Sequence, residues 1–413
     1  MLPGIIPITL IAAALLAAAG TAFTQVPTSA PRRRSELQRA LPITKFYDTP
    51  HPLPPGKPGE LIRSQSFEQY ELPFSVDAFR ILYHSRSATG EDVAASGVVL
   101  IPSERKPPSG GWPVIAWAHG TSGVARRCAP SLARNLGHGP FLSMYVNLGY
   151  AVVAADYTGL GTDFRNAFLD GPSNATDIIA SISAAHAAVP QLGTKWIVMG
   201  AAEGTLAAVA VAEKENEIRD PGYLGSIAIS GLADGKEWYR PSAPGSSGPG
   251  SSGAGSSGAG SSSLMLASLA FGIKTVYPQF QVADMLTENG LALERQVEET
   301  CWEAEASGVL PIAEVVKPGW DDNGFVRQYF ARNRLAQTRA QGPIMVISSD
   351  SDQAIPETLT AQTIARMCKQ GERVQWQRYS NLDPGRVIGD SVRDQISWIE
   401  DRFAGRSSTT TCP

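Results

Sequence analysis

The feature that most restricts this chain is a series of short, continuous apolar runs separated by helix-length segments. The runs cover residues 114–118, 150–156, 195–199, 223–229 and 343–347, and a last strand-like segment, 374–379, alternates with period two. Strands that are apolar on both faces belong in a sheet covered on both sides, and alternation with helices makes that sheet mostly parallel. The expected fold class is therefore α/β, a mostly parallel central sheet with helices on both faces. Residues 390–403 read as a closing helix, with Val392, Ile396, Trp398, Ile399 and Phe403 near helical spacing. In such sheets ligands lie beyond the carboxyl ends of the strands. The loops after each run are the places to look for chemistry.

One of these loops reads Met199-Gly200-Ala201-Ala202-Glu203-Gly204 and leads into a small-residue, helix-forming segment. Strand, tight turn and helix are the setting of a nucleophile elbow, Gly-x-Ser-x-Gly. The glycines stand at 200 and 204, but the central position is Ala202. A second loop, His119-Gly120-Thr121, follows the 114–118 run where an oxyanion loop belongs. The backbone N–H groups of Thr121 and Glu203 are the candidate oxyanion donors. Two candidate acids, Asp350 and Asp352, follow the 343–347 run. One of them must be an ordinary turn or cap residue.

The base is missing. A hydrolase of this architecture orders its triad along the chain as Ser, acid, His. All five histidines, His51, His84, His119, His138 and His186, precede Asp352. The loop after the last strand, residues 381–390, reads as a turn, Asn-Leu-Asp-Pro-Gly-Arg-Val-Ile-Gly-Asp. Nothing in it acts as a base near neutral pH.

Between residues 229 and 343 the alternation breaks. A Gly-Ser-Ser-Gly repeat comes first, and residues 244–263 are expected to form a flexible loop, since no side chain there offsets the entropy of ordering. From 264 to 331 the chain reads as helical, with Leu264, Leu266, Leu269, Phe271, Val276, Tyr277, Phe280 and Met285 as apolar surface. Such an insertion is either a cap over the catalytic edge, suited to an apolar substrate, or a packed subdomain. Asn174 is a helix-cap candidate for the helix expected from 175, and Asn174-Ala-Thr176 is also a glycosylation sequon.

Residues 1–22 read as a signal peptide, apolar and Ala-rich with small residues at its end, a retained membrane anchor being the alternative. The expected location is secreted or periplasmic. Net charge is −4, and Arg32-Arg33-Arg34 is the one basic cluster, so no nucleic-acid partner is expected. The four cysteines, Cys128, Cys301, Cys368 and Cys412, suggest two disulfides in an exported protein, with three pairings open. No Cys-x-x-Cys and no histidine cluster supports a metal site. No cofactor is implied.

From residue 59 to 405 the chain resembles the secretory lipase family, the lipase A-like α/β-hydrolases. The resemblance rests on Trp117-Ala-His-Gly-Thr121, Asp156-Tyr-Thr-Gly-Leu-Gly161, the elbow, Asp352 with Ile355-Pro356, Leu382-Asp383-x-Gly385, and residues 391–405. In such proteins the elbow centre is serine, and Leu-Asp is followed by His-Gly. Those positions are Ala202 and Pro384 here, and the spacing to Pro356 matches Asp352 to the acid. The resemblance implies a cap inserted before the acid-bearing strand, an α/β-hydrolase core over 59–231 and 341–405, and a cap over 232–340. A flexible segment, 23–58, precedes the core and a tail, 406–413, follows it. It also implies a disulfide from the oxyanion-side loop to the cap, Cys128–Cys301, with Cys368–Cys412 holding the tail.

The expected function is that of a lipase- or esterase-like protein impaired by loss of the triad Ser and His, still binding an acyl ester or other apolar small molecule. One alternative is an active ester hydrolase using Ser122, Glu203, Asp352 or Asp383. The other is a non-enzymatic interaction protein on a hydrolase scaffold.

Overall fold

A computed structural model describes residues 40–234, 236, 260–301, 310–352 and 355–413. The expected leader, the tail behind it to residue 39 and most of the Gly/Ser repeat lie outside these residues. Nine strands form one sheet: β1 (Leu61–Ser66), β2 (Val76–Arg86), β3 (Asp92–Pro102), β4 (Trp112–Ala118), β5 (Ala151–Ala155), β6 (Leu192–Ala201), β7 (Tyr223–Ile229), β8 (Ile344–Ser349) and β9 (Val374–Tyr379). Their order is β1-β2-β3-β5-β4-β6-β7-β8-β9. The first three form an antiparallel meander, β3 meets β5 antiparallel, and every pair from β5 to β9 is parallel. The five apolar runs and the alternating segment 374–379 are β4 to β9. The meander has no helices between its strands, so strand–helix alternation did not reveal it.

Side chains alternate across the parallel strands and build two cores. Val114, Ala116, Val198, Ala228, Ile344 and Val346 face one core. Ile115, Trp117, Ile197, Met199, Ile227, Met345 and Ile347 face the other. Helices α1 (Gly139–Asn147), α11 (Pro384–Asp390) and α12 (Val392–Phe403) cover the second face, through Leu142, Tyr145, Val387, Trp398 and Ile399. Helices α2 (Gly171–Ala188) and α3 (Glu203–Ile218) cover the first, through Ile178, Ala185, Leu206 and Val211. The Ala-rich start of α3 favours helix, and Arg219 in the left-handed region ends it.

Beyond β7 the insertion contributes α4 (Gly260–Val276), the short helices α5 (Val282–Met285), α6 (Glu288–Ala292), α7 (Glu294–Glu299) and α8 (Ile312–Val315), and α9 (Gly324–Arg332). Helix α10 (Glu357–Lys369) joins β8 to β9. The insertion is fastened to the core at several points. Cys128 and Cys301 are disulfide-bonded. The Arg332 guanidinium donates to the buried Asp170 carboxylate at 2.7 and 3.0 Å. Tyr329 donates to the Phe168 carbonyl. The second disulfide joins Cys368 to Cys412, and the Thr411 N–H donates to the Val374 carbonyl at 2.7 Å, so the tail lies against β9. Among the described residues no helix is long and apolar enough to cross a membrane.

Four local expectations are corrected. Residues 40–58 are not a flexible segment: Leu41 bonds to the Leu132 carbonyl, and Phe46 and Tyr47 are buried. Two aromatic rings outweigh the surrounding prolines. The end of the Gly/Ser repeat is helical, because α4 begins at Gly260, where serines extend an apolar helix by one turn. Asn174 is not the cap of α2. Asp170 is, accepting from the Ser173 N–H at 3.2 Å, and Asn174 lies buried inside the helix, where a sequon is inaccessible. Residues 384–390 form helix α11 rather than a turn. Asp383 caps it, and proline, whose missing N–H costs nothing at a first helical position, starts it.

Candidate functional site

The chain leaves β4 for β5 on one side of it and returns to β6 on the other. Loops leaving the ends of β4 and β6 therefore diverge and open a crevice, the usual ligand position in an α/β sheet. Both oxyanion candidates and the elbow lie at this crevice.

The elbow is tightly built. Ala202, between β6 and α3, has φ 52° and ψ −120°. A non-glycine residue held there carries strain of order 1–3 kcal/mol. The two glycines are obligatory for close packing. A Cβ at 200 would lie 2.0 Å from the Gly204 carbonyl oxygen, and one at 204 would lie 2.0 Å from that of Ala118. The Thr205 N–H and hydroxyl both donate to the Ala202 carbonyl, at 2.9 and 2.8 Å. A Cβ on Gly120 would lie 3.3 Å from the Ala202 Cβ, so the His119-Gly120-Thr121 loop abuts the elbow.

Glu203 is the first residue of α3, so its N–H has no acceptor within the helix. Its carboxyl is buried and accepts from the Asn174 amide at 3.0 Å. Burial pushes its pKa up to about 7, against the lowering effect of hydrogen bonding. His119 is also buried. Its Nδ1 lies 2.6 Å from the Gly120 carbonyl and its ring stacks on Tyr157, centroids 4.0 Å apart. Burial lowers its pKa to about 4. The Tyr157 hydroxyl donates to the His119 carbonyl at 2.9 Å.

The two aspartates after β8 part company. Asp350 is exposed and accepts from the Asn381 N–H and the Ser351 hydroxyl, both at 3.0 Å. Those bonds lower its pKa, and they make it a turn residue joining the loops after β8 and β9. Asp352 is buried, and its Oδ1 accepts from the Ile355 N–H at 2.9 Å. Asp383 accepts from the Arg386 N–H at 3.1 Å as the cap of α11, and Pro384 is that helix's first residue. Positions 202, 352 and 384 thus follow the carboxyl ends of β6, β8 and β9, along one edge of the sheet.

Histidine is absent from that stretch after β9. His84 bonds to Asp92 at 3.0 Å, His186 bonds to the Ile182 and Gly193 carbonyls, and His51 is an exposed partner of Asp163. His138 immediately precedes α1 and packs edge-on against Trp117, and burial lowers its pKa. The Ser122 hydroxyl is buried with no hydrogen-bond partner, so no base activates it. Asn174 and Tyr157 are the neighbours of the elbow that sequence reasoning did not connect to it. Asn174 presents a capping signal, and Tyr157 stands inside the Asp156-Tyr-Thr motif with no sign of its partner. Among the described residues no group of three or more His, Cys, Asp and Glu could hold a metal ion.

No protein-family model and no curated protein sequence matches the chain. Solved structures do. Candida antarctica lipase A in its closed state superposes with a TM-score of 0.72 at 17% identity, over 90% of this chain and 89% of that one. The rice cell wall degrading esterase LipA from Xanthomonas oryzae gives 0.69 at 19% identity, over 85% and 99%. The order of the strands, the elbow between β6 and α3 and these likenesses agree: the chain has the α/β-hydrolase fold.

Proposed function

We propose that this chain is an exported, lipase- or esterase-like protein that has lost its nucleophile and base and binds an acyl or other apolar ligand without hydrolysing it. The observation that carries the reading is Ala202, a methyl group held in the strained backbone of a nucleophile elbow between two obligatory glycines. Asp352 is the retained acid, and Thr121 and Glu203 supply the oxyanion donors. The similarity to a lipase and to an esterase supports an ester or lipid ligand. Two disulfides fit export to an oxidising compartment. Ser122 without a partner and Asp383 committed to a helix cap count against an active hydrolase using other groups.

Removing one triad member costs roughly 10⁴–10⁶ in kcat, and further losses add little. Purified full-length protein is expected to hydrolyse a nitrophenyl octanoate ester at least about 10⁴-fold more slowly than an ordinary esterase. The double variant Ala202→Ser with Pro384→His is expected to gain hydrolysis, and neither single variant is. Turnover by the unmodified chain within about a hundredfold of an ordinary esterase overturns the reading.

A further inference from the structure

Residues 167–171, which lead into α2, are gripped by two helices of the insertion. From α4 the approach is through glycine: a Cβ on Gly272 would lie 2.9 Å from the Phe168 nitrogen. From α9, the buried Tyr329 donates its hydroxyl to the Phe168 carbonyl. The buried Asn333, just after α9, accepts the Gly171 N–H at 2.9 Å.

Asp170 stands at the centre of this grip, fully buried. Its carboxylate receives three hydrogen bonds from the insertion. Arg332 donates Nε to one oxygen at 2.7 Å and Nη2 to the other at 3.0 Å, and the Asn333 amide donates at 3.1 Å. Two more come from the first turn of α2, from the Ser173 N–H at 3.2 Å and from the Ser173 hydroxyl. A charge taken out of water persists only when it is paired and hydrogen-bonded. The core side supplies Ser173, and the cation comes from the insertion. The start of α2 is therefore complete only with α9 in place.

The same turn of α2 reaches the elbow. Asn174 donates to Glu203 at 3.0 Å, and a Cβ on Gly171 would lie 3.3 Å from the Leu206 carbonyl oxygen. On the oxyanion side, Cys301 of the insertion is bonded to Cys128, and a Cβ on Gly123 would lie 3.2 Å from the Cys301 Cα. The insertion thus borders the crevice at both of its loops. A segment that opens readily has few buried apolar contacts. Here Leu266, Leu269 and Ile273 of α4 and Val326 of α9 are buried in the same core as Ile178 of α2 and Val198 of β6.

We propose that the insertion is a fixed wall of the crevice rather than a lid, and that Asp170 is its keystone, locking α9 to the start of α2 and so to the elbow through Arg332 and Asn333. Ligand enters and leaves with α9 in place. The failure of this inference would leave the reading of an emptied esterase site untouched, since neither Asp170 nor Arg332 takes part in it.

The test is hydrogen exchange of the full chain in increasing urea below the unfolding transition. In a fixed wall the amides of α9 exchange with the same urea dependence as those of β6, through one shared opening. Exchange in α9 that is independent of urea, while β6 stays protected, is the signature of a lid and overturns the wall.

The keystone is tested by Arg332→Gln, which changes only the insertion's half of the contact and leaves Ser173 on the Asp170 cap. It is expected to speed exchange in residues 324–333 by about 100-fold, the scale of a broken buried ion pair, with β6 unchanged. Arg332→Lys keeps the charge but loses the two-pronged bond. Its increase is expected to be about tenfold, and it decides the matter if the glutamine variant does not fold. Tyr329→Phe removes a bond to the same segment without touching Asp170, and less than about tenfold is expected. Undiminished protection of α9 in both arginine variants overturns the keystone. So does an effect of Tyr329→Phe as large as theirs, because any contact of the insertion would then serve equally.

Discussion

The loops after β4 and β6 and the loops after β8 and β9 face the same sheet edge but are held in different ways. Around the elbow the backbone is locked into the core. A Cβ on Gly204 would strike the Ala118 carbonyl, one on Gly120 would lie 3.3 Å from the Ala202 methyl, and the buried Glu203 carboxyl accepts from Asn174 of the neighbouring helix. After β9 the chain turns outward, and a local device, Asp383 capping a helix that starts with Pro384, satisfies it. On the proposed reading, the difference bears on which features persist when catalytic side chains are replaced. The strained elbow persists because packing over-determines it, whatever side chain sits at its centre. Position 384, on a locally capped loop, has no such restraint, and proline fits its helix start on backbone grounds alone.

The largest expected effect comes from adding one methyl group to each region. Gly204→Ala would place a Cβ 2.0 Å from a backbone oxygen, so β4 and α3 would have to separate. Urea denaturation is expected to show a loss of about 3 kcal/mol, the upper range for overpacking. Gly389→Ala, in α11, meets nothing within 4 Å and is expected to gain about 0.5–1 kcal/mol. Similar values for the two variants would erase the distinction between a packed and a locally held loop.

Much of the locked region was legible in the sequence, and the reason is physical. Continuous apolar strands, glycines at 200 and 204, and a His-Gly after a strand each answer to one local requirement, and those requirements survive in the fold. Both disulfides also follow the pairing implied by the family resemblance. What stayed hidden depends on contacts distant along the chain. Asn174 carries a capping residue's chemistry and lies where a cap is plausible, yet it packs against Glu203 from another helix. Phe46 and Tyr47 stand in a Pro-rich stretch, and the partners of Tyr47, Ser131 at its hydroxyl and Arg80 over its ring, are distant along the chain. The meander β1–β3 lacks helices, so the alternation that located the other strands is silent there.

An intermediate effect concerns pH. Glu203, Glu213 and Glu215 on α3, and Glu372 before β9, are each pushed up to about 7 by burial, from an ordinary 4.5. Between those values the folded chain keeps protons that the unfolded chain releases, so stability falls as pH rises through that window. Asp177, at about 6, acts in the same direction. His119 and His138, both lowered by burial, oppose it below 6.5, where the unfolded chain binds protons that the folded one excludes. The carboxyls outnumber them, and melting temperature is expected to be higher at pH 5 than at pH 8. Asp350, after β8, has a lowered pKa, so its contribution is present above 3.8 and is lost only as pH falls through the lowered value. Asp350→Asn should leave the slope between pH 5 and 8 intact, while Glu203→Gln with Glu213→Gln should flatten it. A melting temperature that rises with pH over this range would contradict the account.

The smallest expected effects have opposite signs at the two sites. Asp383→Ala removes an acceptor 3.1 Å from the Arg386 N–H and leaves a helix end uncapped. The expected cost is about 1 kcal/mol, confined to α11. Ala202→Gly removes a side chain from φ 52°, where glycine rests without strain. Release of strain opposes the greater freedom that glycine gives the unfolded chain, and the strain of order 1–3 kcal/mol is the larger of the two. A net gain of a few tenths to about 1 kcal/mol is therefore expected in denaturation. If Ala202→Gly instead destabilised the fold by as much as Asp383→Ala, the methyl group would be a packing element of the elbow. The elbow would then not be a strained turn, and the contrast with the loop after β9 would rest on packing alone.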